Sequence, residues 1–278
     1  MANNLQGAVL YHGEPNGPSL SVLAALAESG LDIECRPIDL LAGERHTISG
    51  ITQPLARDMS LEGEGPVLVI DGEAMSDSVF LAQFFDETVG GCGLQPENSF
   101  THWEMMMWCR QLIERLAPAA ALLGTMAHSQ TRLASMDPEA FRTLSDAIVS
   151  EDLRARWQAL HDNDIDSAQV ADSKAKVDQF AARIEDQLTD GRDWLMREFS
   201  IADLETYAWI NGMQELEPAA FGNKPRLKDW LTRMGARKSV QTALSQATSR
   251  ATSRATQSDP QNAPQNSWAP GPEINRWG

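Results

Sequence analysis

The sequence predicts an α/β domain over residues 1–88 followed by an all-α domain over residues 99–247. Three observations carry this. The first 88 residues mix short apolar runs, which have the period of strands, with stretches of helical period. Residues 89–98, VGGCGLQPEN, interrupt both patterns and read as a linker. Beyond them the apolar spacing is helical almost throughout, until a low-complexity segment begins after Ala247.

In the first part, Ala8 to Tyr11 predicts a strand and GEPNGP a turn. SLSVLAALAESG then predicts a helix, with Pro18 suited to its first position and Gly30 to its stop. IECRPIDL predicts a second strand, and the stretch from Leu41 to Gly65 is long and weakly patterned. PVLVIDGEAM predicts a hairpin turning at Ile70-Asp71-Gly72-Glu73. SDSVFLAQFFDE predicts a helix capped by Ser76 or Asp77. The order is β-α-β, a loop, then β-β-α.

In the second part, Thr101 and Glu104 have the spacing of a capping box opening a helix to about Ala117. Asp137-Pro138, Ser150-Glu151 and Ser167 predict three further starts. From Ser167 onward, Val170, Val177, Phe180, Ala181, Ile184 and Leu188 share one face. Ser200 caps the next helix with Asp203 three residues on, and Pro225 opens another that buries Leu227, Trp230, Leu231 and Met234. Residues 248–278 carry too little apolar surface to order alone, so Trp268, Ile274 and Trp277 are expected to anchor the tail to the body.

Composition excludes several function classes. The net charge is −16; residues 1–88 hold 14 acids against Arg36, Arg45 and Arg57, a net of −11, and the first lysine is Lys174. Such a chain cannot release phosphate counterions from a nucleic acid, and it repels an anionic membrane surface. No 18-residue apolar run predicts a membrane span, and the N-terminal apolar run has no cationic stretch before it, so no secretory leader is expected. Cys35, Cys92 and Cys109 lack CxxC spacing, which argues against a disulfide framework, a zinc site or a dithiol redox site. A reducing cytoplasm is the predicted compartment. Asp162, Asp164 and Asp166 alternate, but without the glycine and closing glutamate of a calcium loop they read as a polar helix connection, and no metal is predicted.

Three local features, in this order, resemble the glutathione transferase family. GPVLVIDG at 65–72 resembles its proline-hydrophobic signature, SDS at 76–78 its acid-serine pair, and FSIADLETYAWI at 199–210 the capping-box helix of its second domain. The resemblance covers about residues 7–247 and implies a thioredoxin-like first domain, an all-α second domain and glutathione as cofactor. It implies a cis Pro66, with the Gly65 amide facing the cysteinyl part of glutathione, and Asp77 and Ser78 gripping its γ-glutamyl end. YHGEPNGPSLSVLAALAESG and SIADLETYAWINGMQ resemble most the bacterial β-etherases, which cleave lignin-type aryl ethers. On that resemblance Ser19 would hold the glutathione thiolate, which would displace a phenolate from the carbon β to a ketone.

The chain departs from that pattern. Pro18 stands where active members carry Asn, and Glu62 and Glu64 set negative charge beside an anionic ligand. A lost hydrogen bond to a charged group is worth about 1.5–3 kcal/mol, enough to weaken glutathione binding roughly tenfold. Arg45, His46 and Arg57 are the candidates for a cation at the glycyl carboxylate; of these His46 is placed in the binding set. The resemblance implies that the helix carrying residues 103–108 borders both the substrate cleft and the dimer interface. Its five large residues sweep a full helical turn and cannot all face one core, so one or two must face the cleft or a partner, and Trp103 and Met107 are placed at the aromatic substrate cleft. Each site residue also has a plain reading. Ser19 and Asp77-Ser78 serve equally as helix-start residues, Pro66 as a turn former, and the Met-Trp cluster as packing.

Three assignments stay open. The first is a β-etherase subunit with a weakened site of its own. The second is a non-catalytic subunit beside a catalytic sister chain in a heterodimer. The third is an active homodimeric transferase of other specificity. All three imply a dimer.

Overall fold

The computed structural model describes residue 5 and residues 7–52 and 65–247. The tail anchors at 248–278, and Arg57, Glu62 and Glu64, lie outside the described residues.

The first part runs β1 (Val9–His12), α1 (Gly17–Ser29), β2 (Glu34–Pro37), a short α2 (Glu44–Thr47), β3 (Val67–Ile70), β4 (Glu73–Met75) and α3 (Ser78–Thr88). The sheet order is β2-β1-β3-β4. β1 and β2 pair in parallel, with Leu10 opposite Cys35. The other two pairings are antiparallel, with Leu10 opposite Leu68 and Leu68 opposite Met75. The hairpin closes through Asp71 (φ 52°) and Gly72 (φ 82°), the two left-handed positions that suit a two-residue turn. Strand alternation splits the core. Leu10 and Leu68 face the helices, whereas Val67, Val69 and Tyr11 face a smaller cluster with Ile38, Leu40 and Ile51.

The second part is helical, and its one β feature among the described residues is an isolated bridge, Met196 to Glu198. It runs α4 (Ser99–Gln111), a π turn (Leu112–Leu116), α5 (Ala117–His128), α6 (Gln130–Ala134), α7 (Pro138–Ala147), α8 (Glu151–His161), α9 (Ser167–Gln187), α10 (Ile201–Ile210), α11 (Met213–Leu216), α12 (Pro225–Gly235) and α13 (Lys238–Leu244). The helix expected to stop near Ala117 instead continues into α5. The Ala117 amide donates to Leu112 O, five residues back, so the π turn absorbs Pro118, which has no amide to give. Its start also differs. Asn98 is the cap, its Oδ1 accepting from the Phe100 and Thr101 amides, and this displaces the Thr101–Glu104 box.

Asp137 and Ser150 cap α7 and α8. Asp166 caps α9, so one carboxylate of the alternating run is a helix start. Asp162 Oδ1 meets His161 Nδ1 at 2.9 Å and its Oδ2 accepts from Gln158, which fits a polar helix connection.

Two helices meet at the centre. α1 is buried from Gly17 to Leu26 and α10 from Ile201 to Ile210, and the two pack on each other. A helix buried on all sides needs apolar residues or paired polar ones everywhere. α10 meets this with three polar positions. Asp203 takes the Leu195 amide, the Ser200 amide and the Trp230 indole. Thr206 Oγ1 takes the Trp108 indole at 2.8 Å, and Glu205 reaches α1. A separate cluster of Leu133, Phe141, Leu144, Ile148, Leu153, Trp157 and Leu160 closes on Leu41 of the first part.

Candidate functional site

Ser19 sits in the first turn of α1, and the turn before it is buried with it. Its Oγ accepts the Gly13 amide at 3.0 Å. That bond uses a lone pair and leaves the hydroxyl proton to donate elsewhere. The Asn16 side chain does not cap α1 and the first turn carries no acidic residue, so Ser19 stands beside the positive end of the helix. Ser19 itself has 0% exposure, so a ligand atom reaching it must take the place of what now covers it.

The loop after β2 supplies the cationic candidates. Arg45 is fully buried; its Nε donates to Gly65 O at 3.0 Å and Nη1 to Ile51 O at 2.8 Å. These bonds tie the loop after β2 to the chain that enters β3. His46 is buried with no hydrogen-bond partner at either ring nitrogen. Burial, and then the Arg45 charge beside it, hold its pKa down to about 4. At neutral pH it is an uncharged imidazole and brings no cation to the site. The Gly65–Pro66 bond is trans, as all peptide bonds are among the described residues, so the expected cis Pro66 is corrected. The Arg45 bond to Gly65 O, together with the Tyr11–Val67 pairing, sets the path of the chain through this turn.

Asp77 caps α3. Its Oδ1 accepts from the Val79 and Phe80 amides at 3.0 and 3.1 Å. It does so at φ 80°, a conformation that costs a non-glycine residue energy and tends to mark a working position. Ser78 follows as the first residue of α3, 6% exposed. Behind it lies a residue that the sequence reading missed. Glu205 of α10 has 0% exposure, and its Oε1 accepts the Ser21 hydroxyl of α1 at 2.5 Å. Ser78 and the Trp209 indole approach the same carboxyl, yet Oε2 has no hydrogen-bond partner of good geometry. Burial raises the Glu205 pKa to about 7, Asp77 adds to the rise, and Ser21, Ser78 and Trp209 oppose it.

Trp103 and Met107 lie on α4. Trp103 is 56% exposed and stacks beside Phe100, with ring centroids 5.6 Å apart, while Met107 is half-buried. Their neighbours Met105 and Trp108 are buried, so the cluster divides between core and surface.

Residues 147–238 match the family model "Glutathione S-transferase, C-terminal domain". The chain is 24% identical over 243 residues to Protein LigF of a Sphingobium species, covering 84% of this chain and 91% of that protein. The crystal structure of β-etherase LigF superposes with a TM-score of 0.77 at 23% identity, covering 86% of this chain and 99% of that one. This is the glutathione transferase fold. Glutathione transferase F7 of Populus trichocarpa shares it at a TM-score of 0.63 and 20% identity, over 86% of this chain and 98% of that chain. A Burkholderia graminis transferase solved with two glutathione molecules shares it at 0.60 and 18%, over 86% and 88%.

Within this transferase fold the sheet order and the two central helices bring Ser19, Gly65, Pro66, Asp77 and Ser78 to the ends of β1, β3, α1 and α3. His46 lies on α2, turned into the protein, and Trp103 and Met107 lie on α4, whose Met106 meets Gln83 of α3. No group of three or more His, Cys, Asp or Glu among the described residues could hold a metal ion. No described helix is long and apolar enough to cross a membrane.

Proposed function

We propose that the chain is a glutathione-transferase-type subunit acting on aromatic β-aryl ethers, with a glutathione site weaker than that of an intact transferase. The observation that carries it is Ser19. It lies in the first turn of α1, its oxygen held by the Gly13 amide and its proton available for a thiolate. A helix N-terminus beside a thiol favours the thiolate, and a donated proton holds it in place. Asp77 and Ser78 would take the γ-glutamyl end at the start of α3, where the strained Asp77 backbone points to a binding role. The ether substrate follows from the likeness to β-etherase LigF. Trp103 and Met107 would meet its aromatic ring.

Three features weaken the glutathione site. Ser19 is covered, Arg45 is committed to two carbonyls, and His46 is neutral. The same features favour a second reading, a non-catalytic subunit supporting an active sister chain.

Calorimetry with glutathione on the isolated chain separates the two. Binding in the micromolar-to-millimolar range supports the first, and an absence of heat supports the second. In the native assembly, Ser19→Ala is expected to leave most of the ether-cleaving rate in place, because a weakened site contributes little of it. Loss of most of that rate would show that this chain is itself the main catalyst.

A further inference from the structure

Resting on the reading of Asp77 and Ser78 as the γ-glutamyl clamp, we propose that Glu205 is a positioning residue for Ser78, and that its proton decides whether the Ser78 hydroxyl serves the protein or the ligand. The geometry is an acid of the second domain placed behind a serine of the first. Glu205 Oε1 is occupied by the Ser21 hydroxyl, Oε2 is buried without a hydrogen-bond partner of good geometry, and Ser78 and the Trp209 indole approach the same carboxyl.

Ionised, the carboxylate only accepts hydrogen bonds, so it draws the Ser78 proton inward. The Ser78 oxygen then presents lone pairs, and no proton, to the ligand carboxylate. Neutral, the carboxyl still accepts from Ser21 through Oε1, while Oε2–H donates to Ser78 Oγ. The Ser78 proton is then released toward the ligand, and the unpartnered Oε2 gains a bond.

The charged and titratable groups around Glu205 do not duplicate this. Asp77 on α3 is tied to the Val79 and Phe80 amides. Asp203 on α10 titrates near 6 but is bound to Leu195, Ser200 and Trp230. Cys109 on α4 is held as a neutral thiol by burial and by Glu205, Asp203 and Asp77. α1 contributes the Ser21 hydroxyl.

With Glu205 titrating near 7, the binding-competent fraction falls about tenfold between pH 6 and 8, and apparent affinity falls with it. The test is calorimetry of the full chain with S-methylglutathione, whose sulfur has no proton to lose, in two buffers of different ionisation heat. Expected is a Kd that rises about tenfold from pH 6 to 8, with net proton uptake on binding near pH 7. Glu205→Gln, whose amide mimics the neutral acid toward both serines, is expected to bind at the pH 6 level across the range. Ser78→Ala, with Glu205 intact, is expected to bind more weakly and to lose the slope, which keeps the test in force if the Gln variant fails to fold. A wild-type slope retained in either variant, or a flat wild-type profile, overturns the proposal. An absence of heat from the wild type at every pH overturns the glutathione reading and this proposal with it.

Discussion

Three buried titratable side chains, His46, Asp203 and Glu205, pull the pH dependence of stability in opposite directions. His46 binds its proton near 4 in the fold, against an ordinary value of 6.5, so its native environment favours the neutral ring. Its contribution is complete above pH 6.5 and is lost as pH falls toward 4, about 3 kcal/mol in all. Replacing His46 with Leu is expected to flatten the acid limb of urea-unfolding stability between pH 6.5 and 4. Glu205 goes the other way. Its folded pKa of about 7 lies above the ordinary 4.5, so the native state holds a proton that the unfolded chain releases. Its contribution is present below pH 4.5 and fades as pH rises to 7. The stability of Glu205→Gln relative to wild type is therefore expected to be greater at pH 8 than at pH 5, by about 2 kcal/mol in denaturant melts. Neither behaviour was legible in the sequence. His46 is a plausible cation until its burial is known. Glu205 looks like one polar position of an amphipathic helix until both domains are seen to close over it.

At the scale of elements, caps and turns were the most legible features, because one side chain and a few backbone amides decide them. Gly30 ends α1 in the left-handed conformation, Asp137 and Ser150 cap α7 and α8, and Ser200 and Asp203 form the expected box. Misreadings arose where two local signals competed. Asn98 and Thr101 both offer a cap, and Asn98 takes it because its oxygen reaches two free amides. Pro118 reads as a stop, yet a π turn carries the chain past it. The capping box at α10 does more than start a helix, since Asp203 also holds Leu195 and Trp230 from other elements. Asp203→Ala is expected to lower unfolding stability by about 3 kcal/mol or more, because it orphans several buried donors at once. Ser200→Ala, which removes the Ser200 half of the box and a 3.4 Å contact to the Asp203 carboxyl but leaves Asp203 and its buried donors in place, is expected to cost about 1 kcal/mol. Thermal melts followed by circular dichroism compare the two.

Over the whole molecule, the α/β-then-α order was legible because each part keeps one hydrophobic period for long stretches. The interior between the parts was not, because it depends on which helices meet. α1 joins α10 at the centre and is also tied to α13 by Glu28, which pairs with Arg237 at 2.5 Å and takes the Ser239 hydroxyl. The outer surface carries Phe80 on α3 and Phe100 and Trp103 on α4, each more than half exposed, an apolar face suited to a second subunit. Light scattering at micromolar concentration is expected to give a dimer for the native chain and a monomer for Phe100→Glu/Trp103→Glu. Among the described residues, the smaller core of α6–α8 meets the first part at Leu41, at the Arg132–Asp39 ion pair at 3.1 Å, and at Leu144, seated where a side chain on Gly43 would stand, 2.3 Å from its methyl. Its apolar cluster is separate from the one that α1 and α10 share, so these helices can open as a unit while α1 and α10 stay closed. Amide hydrogens of residues 130–161 should therefore exchange together and well before those of 201–210, and a bulkier residue at 43 should hasten them without hastening the centre.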